Sequence, residues 1–422
     1  MTDDPGRGVE RVLYVTAWMD VGGSEKFALD ALDQLRRRGV AIAMVTTVES
    51  AHRWRVNFEE RVDALLDLTT VAITRRAGAF VRFARGFDPD VIVVSNSRYL
   101  YELIPYVHRR LPGVRIVDYC HAEQPEWRGG GYPQMSIRQQ RWLSRTLCAS
   151  GHLRDWMVAR GANADRCDIV RCNVDVDYWD RRHLDRARAR ECLGLPAAGS
   201  VIAVVARLDE NKRPLVAFDA IARAAGASPV TALFVGSGPL EKTLRTRAAA
   251  KPGVRLEIRA GGSETVRAAY AAGDVLLLPS SAEGISLAVY EAMSMGLPVV
   301  ASDVGGHAEL VTPGTGVLVP LSGNTIIDTD RFAAVLGSMM ASEEGRAQLS
   351  SAARQRVVEV FSLPAMGDAL FTSLQLADLR PPAGPWPAAF AWLRTAASLV
   401  GQAGRHVLAE SVRWALRRSR SR

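Results

Sequence analysis

Residues 279–310, PSSAEGISLAVYEAMSMGLPVVASDVGGHAEL, hold the residue types and spacing best suited to chemistry. A strand-like run, VLLLPSS at 275–281, leads into a loop carrying Glu283-Gly284, and a helix is expected to start near Ser286. The backbone N–H groups of Ile285, Ser286 and Leu287 would stand at that helix N-terminus. Donors there lack intrahelical partners and the helix dipole favours negative charge, so a phosphate suits the position. Glu283 precedes the helix and Glu291 lies about a turn and a half inside it. Two carboxylates would repel an anion, but they accept hydrogen bonds from hydroxyl groups, such as those of sugars flanking a diphosphate. Gly296 should end the helix and Pro298 open the next strand.

Two further clusters point to the same ligand. Arg207 stands at the end of the strand-like VIAVVARL (201–208), and Lys212 follows five residues later in the loop. A guanidinium fork with an ammonium point charge is a common pair for a diphosphate. The turn VGSGP (235–239) places Gly236 and Gly238 after another strand, where the backbone can approach a ligand closely. All three clusters fall at carboxyl ends of strands, where open α/β sheets bind ligands.

The elements that must position them alternate strand and helix. RVLYVTAW (11–18), AIAMVTTV (41–48), DVIVVSNS (90–97), VRIVDYC (114–120), TLCAS (146–150) and DIVRC (168–172) read as buried strands. The segments between them include helices over 24–38 and up to Leu111. Short β-branched runs separated by helices predict parallel strands covered on both faces, an α/β doubly wound fold. A second series starts near 200, with strands at 201–208, 231–238, 254–260, 275–281 and 298–303. The stretch 181–200 is charged and then rich in Gly, Pro and Ala, which marks a boundary. The expected organisation is an N-terminal domain over 1–185, a second over 198–362, a helical segment over 363–380 packing back on the first domain, and a tail over 381–422.

The 422 residues, 48% hydrophobic and 23% charged, carry enough apolar material for two cores. The net charge of +8 is uneven. Seven Arg and one Glu give residues 381–422 a charge of +6, leaving +2 for residues 1–380. A nearly neutral body argues against nucleic acid as a partner. The tail follows prolines 381, 382, 385 and 387, which forbid a helix across that stretch. Beyond it, Phe390, Leu393, Val400, Val407, Leu408 and Trp414 fall broadly on one helical side, with most arginines opposite. Residues 386–422 therefore suit either an anionic membrane surface or docking on the protein itself. Five scattered cysteines, a polar N-terminus and the absence of a membrane-length apolar run fit a cytoplasmic chain, peripheral to the membrane's inner face if the tail binds lipid.

In order and spacing these motifs resemble the family 4 retaining glycosyltransferases of the two-domain GT-B fold. The matching pieces are Gly22-Gly23-Ser24-Glu25, Arg207 and Lys212, Gly236-Ser237-Gly238, Gly273-Asp274, Glu283-x7-Glu291, Gly296-x-Pro298 and Gly305-Gly306-x2-Glu309. The resemblance implies transfer of a sugar from a nucleotide-diphosphate donor to a hydroxyl acceptor with retained configuration, in cell-envelope polysaccharide or glycolipid synthesis or on a small natural product. It implies that Arg207 and Lys212 hold the diphosphate, Glu283 the donor sugar and Glu291 the ribose. The 285–287 amides would cap a phosphate and Gly22-Gly23 would close over the donor. His121 matches the position where many relatives place a histidine near the donor sugar. No tightly bound cofactor or metal is implied, and the DxD at Asp175–Asp177 reads as structural. The loop reads Glu-Gly-Ile-Ser where relatives often have Glu-Gly-Phe-Gly, so the sugar pocket is expected to differ in shape. A nucleotide-sugar epimerase or a non-catalytic nucleotide-sugar binder would share the architecture. The combination of Arg207, Lys212 and both glutamates argues against each.

Overall fold

The computed structural model describes residues 8–226 and 229–378; the tail over 381–422 lies outside the described residues. The chain divides into two compact units. One holds the chain up to Cys148, Arg154–Ile169 and the residues from Gly367 on; the other holds Ala149–Leu153 and Val170–Met366.

The first unit is built on seven strands: β1 (Arg11–Thr16), β2 (Ala41–Thr46), β3 (Ala64–Asp67), β4 (Val91–Ser95), β5 (Arg115–Cys120), β6 (Arg145–Cys148) and β7 (Cys167–Ile169). Their order is β3-β2-β1-β4-β5-β6-β7 and every pairing is parallel. VIVVS of β4 is buried at all five positions, as a strand covered on both faces must be. On one face Leu13, Val15, Ile92 and Val94 meet Phe80, Leu100 and Ile104 from the Arg76–Phe87 and Arg98–Arg110 helices.

The second unit carries β8 (Ser200–Val205), β9 (Val230–Val235), β10 (Val254–Arg259), β11 (Val275–Leu278), β12 (Val299–Ser302) and β13 (Gly316–Val319), in the order β10-β9-β8-β11-β12-β13, again all parallel. Ile202, Val204 and Phe234 pack against Phe218 and Ile221 of the Pro214–Ala224 helix and Phe332 and Leu336 of the Thr325–Ala341 helix.

Residues 170–185 belong to the second unit. Trp179 is buried there, edge-on to Tyr270 with ring centroids 5.8 Å apart. The buried Asp180 carboxylate accepts from Arg354 at 2.6 Å. The Leu363–Gln375 helix crosses from one unit to the other after Met366; in the first unit Arg38 pairs with Asp368, and Gly367 leaves room for Gln34 and Arg38. The sequence predicts neither β3 nor β13. Each pairs with one neighbour only, and ALLD of β3 is only half-buried throughout, so neither shows the continuous buried run of an inner strand.

Candidate active site

β8 and β11 are neighbours although β9 and β10 separate them in sequence, so the strand order reverses between them. Loops diverge at such a reversal and leave a crevice. Lys212 stands on the loop after β8 and Glu283 on the loop after β11. Lys212 Nζ lies 2.5 Å from Glu283 Oε1, with the two side chains 18% and 9% exposed. The same loops are stitched by their backbones. Ser281 N–H donates to the Asn211 carbonyl at 2.8 Å, and Asn211 Nδ2 donates to the Ala282 carbonyl at 3.1 Å. Arg207 pairs with Asp209 at 3.0 Å and leaves 75% of its side chain in solvent. Asp209 also accepts from the Lys212 N–H at 3.1 Å, so one carboxylate shapes the loop that carries both cations.

The glycine turn after β9 lies against this loop. A Cβ on Gly236 would sit 2.1 Å from the Ala206 carbonyl oxygen and one on Gly238 2.4 Å from that of Leu208. What these glycines admit in the structure is the 206–208 backbone, tied by Leu208 N–H to the Ser237 carbonyl at 2.9 Å. Their close approach therefore sets the height of the Arg207 loop.

Glu283 is fixed from below by the turn after β12. Gly305 has φ +54°, and a Cβ there would fall 1.7 Å from the Glu283 carbonyl oxygen. Gly306 N–H donates to the Gly284 carbonyl at 2.7 Å. Ser286 is the N-cap of the Leu287–Ser294 helix, but its side chain makes no capping bond. Ile285 and Leu287 are half-buried beside it. Glu291, inside the helix, accepts from Tyr270 Oη at 3.1 Å.

In the first unit the Gly22-Gly23 turn opens the Gly23–Arg36 helix, one turn before Phe27. Phe27 stacks on Tyr119 of β5 at 4.0 Å and meets His121 edge-on at 5.5 Å. This places His121, just past the end of β5, beside the helix that follows β1. Its Nε2 lies 3.0 Å from Ser95 Oγ at the end of β4. Enclosure by these rings pushes the imidazole pKa down to about 3, so the ring is neutral. Whereas His121 is half-buried, Glu25 is buried; it accepts from Ser24 Oγ, and its burial raises its pKa.

Two family models cover most of the described chain. Glycosyltransferase Family 4 matches residues 21–178, and Glycosyl transferases group 1 matches 199–341. A D-inositol 3-phosphate glycosyltransferase of Mycobacterium bovis is 32% identical over 396 residues, covering 85% of this chain and 79% of the relative. The chain belongs to the family 4 glycosyltransferases. The enzyme of the same description from Rhodococcus jostii is 28% identical over 418 residues, covering 88% of each. Among solved structures, Anabaena HepE in complex with UDP-glucose superposes with a TM-score of 0.73 at 19% identity, covering 86% of this chain and 99% of the other. The lipopolysaccharide outer core galactosyltransferase WaaB superposes at 0.67 with 16% identity, covering 86% and 99%. This glycosyltransferase thus has the GT-B fold.

Other motif residues of the glycosyltransferase are occupied with its own structure. Asp274 accepts from Val201 N–H at 2.8 Å and pairs with Arg186 at 2.7 Å and Arg190 at 3.3 Å. Glu309 accepts from His152 N–H at 2.9 Å and Arg171 Nη2 at 2.6 Å, holding two segments of the second unit. Asp175 Oδ1 accepts from the backbones of Asp177 and Tyr178 at 3.1 and 3.0 Å, closing a turn. Lys26 pairs with Asp30 one turn along its helix. Sequence reasoning missed four residues at the sites: Asp209, Tyr270, Ser95 and His307. His307 is buried, and its Nδ1 lies 2.9 Å from the Ser302 carbonyl, which can only accept, so Nδ1 carries the proton. Burial lowers its pKa, and the charges of Glu283 and Lys212 act on it. Only Asp209 gave a signal, as one of two carboxylates, with Glu210, between Arg207 and Lys212.

Proposed function

We propose that the chain transfers a hexose from a UDP-sugar to a hydroxyl acceptor with retention of configuration. The observation that carries this is the Lys212–Glu283 pair across the strand-order reversal, with Arg207 exposed on the same loop. As the bond from the anomeric carbon to the diphosphate breaks, negative charge grows on the departing oxygen. Arg207, Lys212 and the amides at 285–287 would oppose that charge, Lys212 after turning from Glu283 to the phosphate. Glu283, once Lys212 turns to the phosphate, would accept from the donor sugar's hydroxyls, and Glu291 from the ribose. The departing phosphate oxygen would take the acceptor's proton on the face it left, which retains the configuration. His121 and Gly22-Gly23 are assigned to the donor from the family motif; a neutral His121 suits a hydrogen bond to a sugar hydroxyl rather than a charge contact.

Uridine is favoured by the UDP and UDP-glucose held by the HepE structures. The relatives' printed acceptor makes a phosphorylated polyol the first acceptor to test, ahead of an envelope glycan, a glycolipid or a natural product. The site of work would be the cytoplasm or its membrane face; no described helix is long and apolar enough to cross a membrane. A panel of UDP-, GDP- and ADP-sugars, with D-inositol 3-phosphate and simple glycosides as acceptors, tests the proposal by product analysis. An α-linked product from an α-linked UDP-sugar is expected. An inverted product, or sugar release with every acceptor absent from the product, would refute it. Replacing both Arg207 and Lys212 by Ala should lower kcat/KM at least 100-fold, since removing a single charge-stabilising donor costs roughly 10²–10³. Near-normal kcat/KM would remove both from the site.

A further inference from the structure

Glu291 has three side-chain torsions and, left to itself, would sample many orientations. The structure holds it from the neighbouring helix. Tyr270, in the last turn of the Ser263–Ala272 helix, donates its hydroxyl to Glu291 Oε2 at 3.1 Å. Tyr270 is completely buried, so its ring is not free to turn away. Trp179 lies edge-on to that ring at 5.8 Å and is itself 4% exposed. The Trp179 carbonyl accepts from Ser294 Oγ at 2.8 Å and from Arg354 Nη1 at 3.0 Å. Ser294 lies three residues beyond Glu291, on the same helix. The Tyr270–Trp179 pair thus grips that helix at two places, once through the carboxylate and once through its last residue.

We propose that Tyr270 is a positioning residue for the donor's ribose, holding the Glu291 carboxylate so that it accepts from the vicinal 2′- and 3′-hydroxyls. The proposal rests on the assignment of Glu291 to the ribose made above. A carboxylate has about four lone-pair sites, more than the Tyr270 hydroxyl can fill. The phenol stays a donor throughout the physiological range, because burial first and the Glu291 charge second keep its pKa well above 10. A fixed acceptor pays less ordering entropy when ribose binds than a mobile one does. Tyr270 therefore acts through Glu291 on nucleotide affinity and on the preference for ribose over deoxyribose, and leaves the bond-breaking step alone.

The test is titration calorimetry of the full chain with UDP and with 2′-deoxy-UDP. Wild type should bind UDP more tightly. In Tyr270→Phe the affinity for UDP should fall about tenfold, that for 2′-deoxy-UDP much less, and the preference should shrink toward one. Donor KM should rise with kcat nearly unchanged. A preference in Tyr270→Phe equal to that of wild type would overturn the inference while leaving Glu291 on the ribose. Equal binding of the two nucleotides by wild type, or no UDP binding at all, would overturn the assignment of Glu291 and the inference with it. Two ring-filling replacements keep the test open if Tyr270→Phe does not fold. At position 270, 4-aminophenylalanine retains a donor and should keep the preference, whereas 4-fluorophenylalanine, of similar size without a donor, should lose it. The same preference in both would count against the role of the hydroxyl.

Discussion

At the scale of single residues, the candidate site works with groups whose charge state the fold has already chosen. His121 is the clearest case. An unperturbed histidine titrates near 6.5, whereas the enclosed ring of His121 is held down to about 3. Between those values the unfolded chain binds a proton that the folded chain refuses, so stability rises with pH across that window. The stabilisation is complete above about pH 6.5 and is lost as pH falls toward 3. His121→Gln removes the titration. The stability difference between wild type and His121→Gln should therefore fall steadily from pH 7 to pH 4 in denaturant titrations. The acid limb of kcat/KM in wild type should lack an inflection near 6.5. A limb at that pH which disappears in His121→Gln would show that the ring titrates normally and is not enclosed. In the sequence Arg207 and Lys212 stood out as a cation pair at and after a strand end, Glu283 and Glu291 as carboxylates before and inside a helix, and His121 only through the family motif. Sequence alone could not point to Tyr270 or His307. Tyr270 stands in AAYAAGD and His307 in GGHAEL, where a buried aromatic ring and a helix-start residue look like packing. Their partners, Glu291 and the Ser302 carbonyl, come from elements that only the fold brings near.

At the scale of elements, the loops are placed by backbone contacts rather than by their own side chains. Gly305 is decisive because two demands coincide there. Its φ of +54° is costly for other residues, and a Cβ would lie 1.7 Å from the Glu283 carbonyl oxygen. Gly305→Ala must therefore push the 283–284 loop away from the turn after β12. The expected cost is about 1–3 kcal/mol in stability, with a larger loss in kcat/KM because Glu283 moves with its carbonyl. Thermal denaturation and donor kinetics on the same preparation check both parts. Full activity in a folded Gly305→Ala would show that the loop position tolerates the shift. The sequence announced the inner strands well. β1, β2, β4, β8 and β9 are found within a few residues of the expected runs, since burial on both faces demands continuous apolar sequence. β3 and β13 escaped because each is four residues long and mostly half-buried, which leaves no long apolar run to read. Gly236 and Gly238 were legible as a turn, but their partner was not. Sequence showed glycines where a ligand could approach, and the structure puts the 206–208 backbone there.

At the scale of the whole molecule, charge and architecture separate. The two family matches end at residue 341, and the described chain ends at 378, so the +6 of residues 381–422 lies beyond both. The division between units was only partly legible. Charged and Gly/Pro-rich sequence marked 181–200 as a boundary, yet the second unit already begins at Val170, because Trp179 and Asp180 are buried within it. A composition change records where the chain is exposed, and a unit is defined by what it buries. The tail invites the same caution, and a binding measurement can decide what it touches. Each arginine near an anionic surface contributes about 1 kcal/mol, so six net charges together with Phe390, Leu393 and Trp414 would dominate vesicle binding over a body of net +2. Deleting 381–422 should leave UDP-sugar turnover on a soluble acceptor within about twofold, a change of under 0.5 kcal/mol. It should abolish co-sedimentation with phosphatidylserine vesicles, and binding by the intact chain should weaken steeply as salt rises. Uncharged phosphatidylcholine vesicles should pellet neither form. If the truncated chain pellets as well as the intact one, the basic segment is not the anchor. In that case a lowered melting temperature on truncation would identify it as a segment that packs on the protein and contributes to its stability.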